Sequence, residues 1–477
     1  MSRERYTLEI PGCPPGKGDW LEVTSPYSGE TVGEVELGGE EALEQALALQ
    51  RRLFRDRSTW LPTHERVGIL RRAAELMRGC AEELALRIAR EGGKPLSDAR
   101  VEVARAIDGV EYLAGEAGRH AGREIPMGAT PASVGRLAFT TYEPIGVVVA
   151  VSAFNHPLNL IVHQAGPAVA AGCPVIIKPA STTPLSCHAF VRILHEAGLP
   201  PAWCLALPAR TEIAKRLVTS PEIAFFSFIG SAEVGWTLRG ELSPGVRCAL
   251  EHGGAAPLIV DASADLDTAV PLILKGGYYH AGQVCVSVQR VFAHESCKGE
   301  LVERLEAGVR ALRTGDPTLS ETEVGPLIVP SEVTRVHEWV QKALQQGAKL
   351  ACGGEILGQQ CYAPTLLVDA PDNSRVMRSE VFGPVVNVAA FEDLDAAVER
   401  CNEGPWAFQA AVLGRDLERA LRAARGLDAS AVMINDHTAF RVDWMPFAGR
   451  RHSGLGIGGM PYTLEDLTQH KLIVFRS

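Results

Sequence analysis

The chain has 477 residues, more than a single hydrophobic core usually fills, so we expect two or more domains. Its hydrophobic content of 46% and charged content of 22% are ordinary for a globular protein and exclude a disordered chain. The formal net charge of −10 gives no support for a nucleic-acid or acidic-membrane partner, although local arginines can still bind a small anionic substrate.

The 11 cysteines are scattered and contain no Cys-x-x-Cys pair, and no His-Glu-x-x-His sequence is present. This pattern favours reduced thiols over disulfides or a zinc site, so we expect no metal. The sequence begins Met-Ser-Arg-Glu-Arg-Tyr, which has charge but no apolar run. We therefore expect no signal peptide and a cytoplasmic location.

Helical patterns dominate the region after residue 40. Apolar stripes at Ile69, Ala73 and Leu76 and at Val103, Ile107 and Val110 predict amphipathic helices. Pro62 is a start signal and Gly92-Gly93 a stop signal. Residues 123–142 lack helical periodicity and contain several Pro and Gly residues, which predicts an extended arm.

The segment from Pro144 to Ile177 has no formally charged residue, and its length would suffice for a membrane span. Asn155, His156 and Gln164 interrupt it, and Gly172 and Pro174 break it again. We therefore interpret it as a buried strand, loop, helix and strand.

Short β-rich runs alternate with helical ones from residue 145 onward, which predicts parallel sheets with crossover helices. The first set of predicted strands is Val147–Ser152, Val175–Lys178, Trp203–Leu207, Ile223–Phe228 and Arg247–Leu250, with helices at 156–170 and 185–196 between them. The second set is Arg290–Ala293, Val385–Phe391, Ala410–Leu413 and Ala431–Ile434, with helices at 299–312, 332–346, 394–401 and 416–424. Ligands bind such sheets at the carboxyl ends of their strands.

The closing segment Lys471–Phe475 predicts an apolar strand at the end of the chain. Such a strand needs a partner edge, and a second subunit is a candidate provider.

Three segments contain candidate chemistry. Cys285 lies in Gly-Gln-Val-Cys-Val, where the alternative to a nucleophile is a buried small hydrophobe. Glu251 ends a predicted strand before two glycines that permit a sharp turn; it is a candidate general base or a solvated turn residue. Asn155 follows another predicted strand and is a candidate oxyanion donor or a helix cap.

Two further strand ends are suited to a nucleotide. Lys178 ends a strand and suits a ribose hydroxyl or a phosphate, and Gly230-Ser231 is a glycine turn before a helix, where backbone N–H groups can bind a pyrophosphate. The Gly-x-Gly-x-x-Gly and Walker sequences are absent, so these segments alone are weak indications.

In their order and spacing, these segments resemble the aldehyde dehydrogenase superfamily from about residue 20 to the end. The matching pieces are Asn155, Lys178-Pro179-Ala180, Gly230-Ser231, Glu251 with Gly253-Gly254, Gly282-Gln283 with Cys285, Glu380-Val381-Phe382-Gly383-Pro384, and Pro446-Phe447-Ala448-Gly449 with Ser453-Gly454.

The resemblance implies an α/β fold of two Rossmann-like domains plus a small β oligomerisation arm. The dinucleotide-binding domain would comprise residues 1–122 and 143–250, and the catalytic domain 251–440. Residues 123–142 and 455–477 would form the oligomerisation arm and tail of a homodimer or homotetramer.

The resemblance also implies NAD(P)-dependent, non-acylating aldehyde oxidation. Cys285 would be the nucleophile, Asn155 and the backbone N–H of Cys285 the oxyanion donors, and Glu251 the base that activates water. The implied cofactor contacts are Lys178, Ser181, Ser231, Val234, Glu380 and Phe382. The reaction would pass through a thiohemiacetal and a thioester.

Three positions depart from the family pattern. Ser181 stands where many members have a glutamate that binds both ribose hydroxyls, and serine removes a charge that would repel a 2′-phosphate. We therefore expect NADP to be used at least as well as NAD. His252 and His280 replace a common leucine and asparagine; each is a candidate for tuning the site, but we favour satisfied structural histidines.

The tail from Ile434 to Pro446 resembles members that act on small anionic aldehydes, such as phosphonoacetaldehyde. Arg441, Arg105 and His156 are the candidate substrate contacts, because guanidinium groups bind oxyanions through two-pronged hydrogen bonds. The alternatives are that Arg441 pairs with Asp443 or another acidic neighbour and that Arg105 is solvated.

Two competing functions remain on the same fold. A CoA-acylating semialdehyde dehydrogenase generally lacks the glutamate that Glu251 supplies, and a binding or structural protein need not retain Cys285, Asn155 and Glu251 together. These residues favour the hydrolytic enzyme.

Overall fold

The computed structural model describes residues 4–16 and 18–476. The first residues of the charged N-terminus, on which the expectation of no signal peptide rests, lie outside this part, as do the outermost residues of the predicted segments 1–122 and 455–477.

Helices and strands alternate along most of the chain. The helices are α1 (Glu40–Arg55), α2 (Thr63–Gly79), α3 (Ala81–Gly92), α4 (Leu96–Arg119), α5 (Asn159–Ala171), α6 (Leu185–Glu196), α7 (Thr211–Thr219), α8 (Ala232–Gly240), α9 (Leu266–Tyr278), α10 (Glu295–Ala311), α11 (Pro330–Gln345), α12 (Arg375–Arg378), α13 (Leu394–Asn402), α14 (Leu417–Gly426) and α15 (Met460–Asp466). The strands are β1 (Glu4–Tyr6), β2 (Trp20–Thr24), β3 (Thr31–Glu36), β4 (Glu124–Ile125), β5 (Arg136–Pro144), β6 (Val148–Val151), β7 (Val175–Lys178), β8 (Cys204–Ala206), β9 (Phe225–Ile229), β10 (Arg247–Glu251), β11 (Ala256–Val260), β12 (Val288–His294), β13 (Lys349–Cys352), β14 (Ile356–Gly358), β15 (Cys361–Tyr362), β16 (Thr365–Val368), β17 (Val385–Phe391), β18 (Trp406–Ala407), β19 (Gln409–Leu413), β20 (Ala431–Ile434), β21 (Arg450–Arg451), β22 (Gly454–Leu455) and β23 (Thr468–Arg476).

The first large sheet has the strand order β22-β10-β9-β6-β7-β8. Its strands are parallel except β22, which returns from near the C-terminus to pair antiparallel with β10. Strands such as β7 are continuous apolar runs because helices cover both faces of the sheet. This is the predicted first set of strands, and each predicted strand is present.

The second large sheet has the order β13-β16-β17-β12-β11-β19-β20 and is parallel except for β13 at one edge. Its core contains the second set of predicted strands and the apolar faces of α9, α10 and α11. The two sheets confirm the predicted α/β fold class.

The third sheet, β23-β5-β4, contains the predicted arm and the terminal strand. The terminal strand does not depend on a second subunit for a partner: β23 pairs antiparallel with β5 of its own chain, from Thr468 opposite Pro144 to Arg476 opposite Arg136. The sequence could not reveal this pairing because the two strands are more than 300 positions apart.

The uncharged segment 144–177 has the predicted buried strand, loop, helix and strand, namely β6, α5 and β7. Every residue of α5 is buried. Within the described residues we find no helix that combines the length and the apolar character needed to span a bilayer.

Candidate active site

The candidate residues from the first sheet lie at one edge of it. β10, β9, β6 and β7 are adjacent and parallel, so their carboxyl ends share that edge. Glu251 ends β10, Ser231 and Asn155 follow β9 and β6, and Lys178 ends β7. This arrangement is the usual ligand-binding edge of an open α/β sheet.

The loop before Cys285 has an unusual backbone. His280, Ala281 and Gly282 are all left-handed, with φ of 48°, 54° and 69°. A Cβ at Gly282 would overlap with the carbonyl of Gly383, so only glycine fits there. The strain has to be maintained by the surrounding contacts.

Gln283 supplies several of those contacts. Its side-chain amide donates to the carbonyl of Pro326 at 3.2 Å and accepts from the N–H of Ile328 at 3.0 Å. Gln283 had no predicted role of its own, although it stands next to Gly282 in the motif that carries the resemblance. Gln283 ties the cysteine loop to the chain near residue 327.

Asn155 contacts the same loop. Its Nδ2 donates a hydrogen bond of 2.9 Å to the carbonyl of Gln283. The capping alternative is wrong, because α5 begins at Asn159 and the carboxylate of Glu102 accepts the N–H groups of Leu158 and Asn159, each at 3.0 Å. Glu102 was missed by the sequence analysis, since it lies on a different helix.

Cys285 is half-buried against the apolar cluster of Val284, Val286, Phe408 and Phe447. Burial, with smaller contributions from Glu380 and Glu251, raises the pKa of its thiol to about 12, although Arg441 opposes this shift. The thiol is therefore neutral near pH 7, and nucleophilic attack requires a base or a nearby positive charge.

Glu251 lies opposite Gly454 of β22 at the end of its strand. Its carboxyl group packs against the backbone of Gly458, where a Cβ would overlap with Oε1. Burial raises the pKa of Glu251 and Arg441 lowers it. Glu251 is half-buried at the end of β10, and an ionised carboxylate there is suited to accept a proton from water.

Gly253 and Gly254 have a different role from the predicted sharp turn. Neither has a positive φ. The side chain of Glu380 occupies the space where a Cβ of Gly253 would stand, and its Oε1 accepts the N–H of Gly254 at 3.3 Å. Burial raises the pKa of Glu380 to about 8, which the Gly254 N–H and Arg335 oppose. Gly253 is thus required by close packing.

The expected cofactor contacts lie along the same edge. Lys178 Nζ is 3.5 Å from Ser181 Oγ, and burial lowers the pKa of Lys178. Ser231 is the N-cap of α8, whose first-turn N–H groups no capping side chain satisfies, and Val234 in that turn is 48% exposed. These groups fit the ribose and pyrophosphate of a dinucleotide.

Phe382 is expected near the nicotinamide end of the cofactor. It has a left-handed backbone with φ of 47°, and its ring meets that of Phe154 edge-on at 5.8 Å. Phe154 precedes Asn155 in the chain, so this contact brings the segment around Glu380 next to the loop that follows β6.

The two unusual histidines differ. His252 Nδ1 is bonded to the carbonyl of Gly230 at 2.9 Å and its ring packs against Gly235 and Trp236, whereas its buried Nε2 has no partner among the described residues, so it is satisfied at one nitrogen only. His280 is fully buried, and neither ring nitrogen has a hydrogen-bond partner among the described residues. The expectation of a satisfied histidine is wrong at this position.

The predicted arginine contacts are arranged differently from both alternatives. Arg105, not Arg441, pairs with Asp443, through Nε at 3.2 Å and Nη2 at 2.7 Å. Arg105 is therefore paired rather than solvated. His156, the third candidate, has its Nε2 3.1 Å from the hydroxyl of Tyr279.

Arg441 lies over the ring of Phe447, with Cζ 3.6 Å from the ring centroid. Its Nη2 is 3.3 Å from Nδ1 of His163, and its buried Nε has no partner among the described residues. His163 lies within α5 and had no predicted role, because only the fold brings it next to Arg441.

No group of three or more His, Cys, Asp or Glu side chains in residues 4–16 and 18–476 is arranged to hold a metal ion.

The chain is similar to known proteins over nearly its whole length. A profile described as the aldehyde dehydrogenase family matches residues 14–473. A curated relative, 3-sulfolactaldehyde dehydrogenase from Priestia aryabhattai, is 35% identical over 473 residues, which cover 99% of this chain and 98% of the relative.

Solved structures match equally well. Aldehyde dehydrogenase 21 from Physcomitrella patens, in complex with the reaction product succinate, superposes with a TM-score of 0.96 at 32% identity and covers 100% of this chain and 99% of that one. Glyceraldehyde-3-phosphate dehydrogenase GapN from Methanocaldococcus jannaschii, complexed with NADP, has a TM-score of 0.92 at 31% identity and covers 97% of this chain and 100% of that one.

Proposed function

Because this chain belongs to the aldehyde dehydrogenase family, we propose that it oxidises a small anionic aldehyde to the corresponding acid. It is an NAD(P)-dependent aldehyde dehydrogenase. The observation that supports an anionic substrate is the unpaired guanidinium of Arg441.

The charges around Arg441 support this specificity. Three other cations of this region are each paired with a carboxylate: Arg105 with Asp443, Lys94 with Glu102 and Lys275 with Asp98. Among the described residues no carboxylate forms an ion pair with Arg441, whose Nε is buried without an acceptor. A part-buried guanidinium without a carboxylate partner favours binding of a carboxylate, sulfonate or phosphate.

The names of the matched proteins agree with this charge. One acts on 3-sulfolactaldehyde, one was solved with succinate, and one is named for glyceraldehyde 3-phosphate. Each of these compounds is an anion of a few carbon atoms, and we propose that the substrate of this chain is one as well.

The proposed reaction begins at Cys285. Its sulfur bonds to the carbonyl carbon as the thiol proton passes to solvent water, the C=O π bond breaks, and the oxygen becomes an oxyanion. One hydrogen of the Asn155 amide binds Gln283, which leaves the second to stabilise that oxyanion together with the backbone N–H of Cys285.

The cofactor supplies the acceptor for the hydride that leaves the same carbon, and the thiohemiacetal becomes a thioester. Water then attacks the thioester while Glu251 takes its proton. The acid is released, and the sulfur of Cys285 is regenerated. Lys178, Ser181, Ser231, Val234, Glu380 and Phe382 are the residues that we propose to hold the dinucleotide.

Glu251 also bears on the competing functions. A CoA-acylating enzyme transfers the acyl group to a thiol and needs no base for water, so the buried Glu251 carboxylate favours hydrolysis. Formation of NADH or NADPH and free acid without added CoA is the expected result. Absence of turnover with every aldehyde would instead support a non-catalytic protein.

The substrate proposal is tested by comparing succinic semialdehyde with butanal, a neutral aldehyde of the same chain length, using both NAD and NADP. We expect a higher kcat/KM for the anion and a loss of that preference, by about tenfold or more, in Arg441→Gln. Arg415→Gln, which removes an exposed arginine paired with Asp265, is the matched control. Equal losses on both substrates would contradict the proposal.

We also propose that the protein forms a homodimer or homotetramer through the third sheet. β23 is an edge strand, and its side chains Leu472, Val474 and Phe475 are 55%, 48% and 55% exposed. An exposed apolar edge strand favours pairing with a second copy. Light scattering should give a multimer that Val474→Lys weakens.

The thiols support a cytoplasmic location. All 11 cysteines are free, and several are deeply buried in the two large cores. Free thiols persist most readily in a reducing compartment. Cell fractionation tests this part of the proposal.

A further inference from the structure

His163 connects Arg441 to a buried carboxylate. Its Nδ1 is 3.3 Å from Nη2 of Arg441, and its Nε2 is 2.7 Å from Oδ1 of Asp443. Arg105 donates two hydrogen bonds to the same carboxylate, and Asn159 Nδ2 donates a third at 3.2 Å. Asp443 is thus surrounded by donors, and His163 is the one that also reaches Arg441.

These contacts determine where the histidine proton lies. A carboxylate only accepts hydrogen bonds, so Nε2 of His163 must carry the hydrogen that points to Asp443. Arg441 only donates, so Nδ1 must be the lone pair that accepts from Nη2. Both requirements are met by one neutral tautomer, which fixes the ring in one orientation.

The local charges agree with that tautomer. Burial lowers the pKa of His163 to about 4, and Arg441 and Arg105 lower it as well, whereas Asp443 opposes them. The hydrogen bond from His163, together with the charge and hydrogen bonds of Arg105, holds the pKa of Asp443 far below its usual range in spite of burial. The histidine is therefore neutral and the aspartate charged near pH 7.

We propose that His163 is a positioning residue that holds the Arg441 guanidinium in the orientation needed to bind the anionic end of the substrate. Phe447 sets the plane of the guanidinium by stacking, and the His163 lone pair sets its rotation within that plane. Nη1 has no hydrogen-bond partner among the described residues and, unlike Nε, is not fully buried, so its N–H groups remain available for a substrate oxygen. This inference rests on the proposed anionic substrate.

The geometry matters because an arginine side chain has several rotatable bonds. Without an acceptor at Nδ1, the buried Nη2–H would lose its hydrogen bond, and the guanidinium would turn toward another partner. The substrate would then have to reorder Arg441 on binding, which weakens affinity for the anion but leaves the chemistry at the aldehyde carbon unchanged.

Three substitutions of His163 distinguish the role of Nδ1 from that of Nε2. His163→Asn places an acceptor oxygen near Nδ1 and gives up the contact with Asp443, His163→Gln extends toward Asp443, and His163→Leu fills similar space with no polar atom. Binding of succinate by calorimetry and KM and kcat for succinic semialdehyde and butanal are measured for each.

We expect His163→Leu to weaken succinate binding and to raise KM for succinic semialdehyde by about tenfold, with kcat and the butanal constants within about twofold. His163→Asn should recover most of the affinity, and His163→Gln less of it. If the leucine variant does not fold, the comparison of the asparagine and glutamine variants decides in the same way.

The outcomes distinguish the two proposals. A wild-type enzyme with no preference for succinic semialdehyde over butanal removes the anionic substrate and this inference with it. A wild-type preference that all three variants retain overturns the positioning role alone. Equal losses in the asparagine, glutamine and leucine variants, or losses shared by butanal, also overturn it, because they indicate a general packing effect.

Discussion

The side-chain amide of Asn155 donates a hydrogen bond of 2.9 Å to the carbonyl of Gln283, two residues before Cys285. Asn155 follows β6 of the first sheet, whereas Gln283 precedes β12 of the second. One amide therefore joins the loops of both sheets and fixes its own orientation against the cysteine loop.

Removal of that amide should affect the oxyanion more than the fold. We expect Asn155→Ala to lower kcat by about 100-fold to 1,000-fold with a small change in cofactor affinity, because a donor to the developing charge is lost. Steady-state rates and cofactor binding by fluorescence measure the two effects. Asn402→Ala, which removes an amide that donates to the carbonyl of Gly426 instead, is the control. A full loss of cofactor binding in Asn155→Ala would mean that the amide supports the fold instead.

Glu251→Gln should separate the two halves of the reaction. Cys285 can still form the thioester, so one equivalent of reduced cofactor should appear as a burst, while steady turnover falls by about 100-fold or more because no base activates water. Stopped-flow absorbance resolves the two phases. Loss of the burst together with turnover would assign Glu251 to the earlier step.

The pH dependence of that turnover has a defined sign. The carboxyl group of Glu251 accepts a proton only when ionised, and burial raises its pKa. On acidification the wild-type rate should therefore decline around the raised pKa of Glu251. This pH lies above about 4.3, the ordinary pKa of a glutamate side chain. The residual rate of Glu251→Gln should lack this decline.

The alternating pattern was sufficient to predict much of the fold. Three strands and the helix α6 have the predicted bounds. The strands are Val175–Lys178, Val385–Phe391 and Ala431–Ile434. Runs of buried apolar residues between turn signals identify such strands regardless of their neighbours. The residues at strand ends followed from the same pattern, since parallel strands expose their carboxyl ends together.

Contacts between distant segments were not predictable in the same way. Glu380 fills the space where a Cβ of Gly253 would lie, and it bonds to Gly254 from 126 positions away along the chain, so the sequence alone predicts that these glycines form a turn. Asp443 is an acidic residue close to Arg441 in the sequence, so an ion pair between the two was one alternative. In the fold, Arg105 of α4 pairs with Asp443 instead. A sequence pattern predicts on which face of a strand or helix a side chain lies. It does not predict which distant segment packs against that face.

Glu380 should make both stability and cofactor binding depend on pH. Its pKa is about 8 in the fold and near 4.3 in an unfolded chain, so between these values the native state binds more protons. Stability without cofactor should therefore fall as pH rises from about 4 to about 8. Glu380→Gln should remove this slope, whereas the exposed Glu418→Gln should retain it; chemical denaturation at several pH values measures both.

Cofactor binding should oppose that protonation. Ribose hydroxyls that donate to the Glu380 carboxylate favour its charged form, so binding of NAD or NADP near pH 7 should release a proton. Calorimetry in two buffers with different ionisation enthalpies counts the protons. Equal enthalpies in the two buffers would exclude the carboxylate from the cofactor contact.

Ser181 should decide how well the enzyme tolerates a 2′-phosphate. Its Oγ lies 3.5 Å from Lys178 Nζ, so an added phosphate would find a positive charge and no carboxylate at that position. Two like charges 4 Å apart repel by about 1 kcal/mol in water and about 4 kcal/mol near a protein surface. Ser181→Glu should therefore lower kcat/KM for NADP by about tenfold or more and affect NAD far less. Ser181→Gln has the same size without the charge and should keep NADP activity, and a wild-type preference for NAD of about 100-fold, some 2.7 kcal/mol, would contradict the argument.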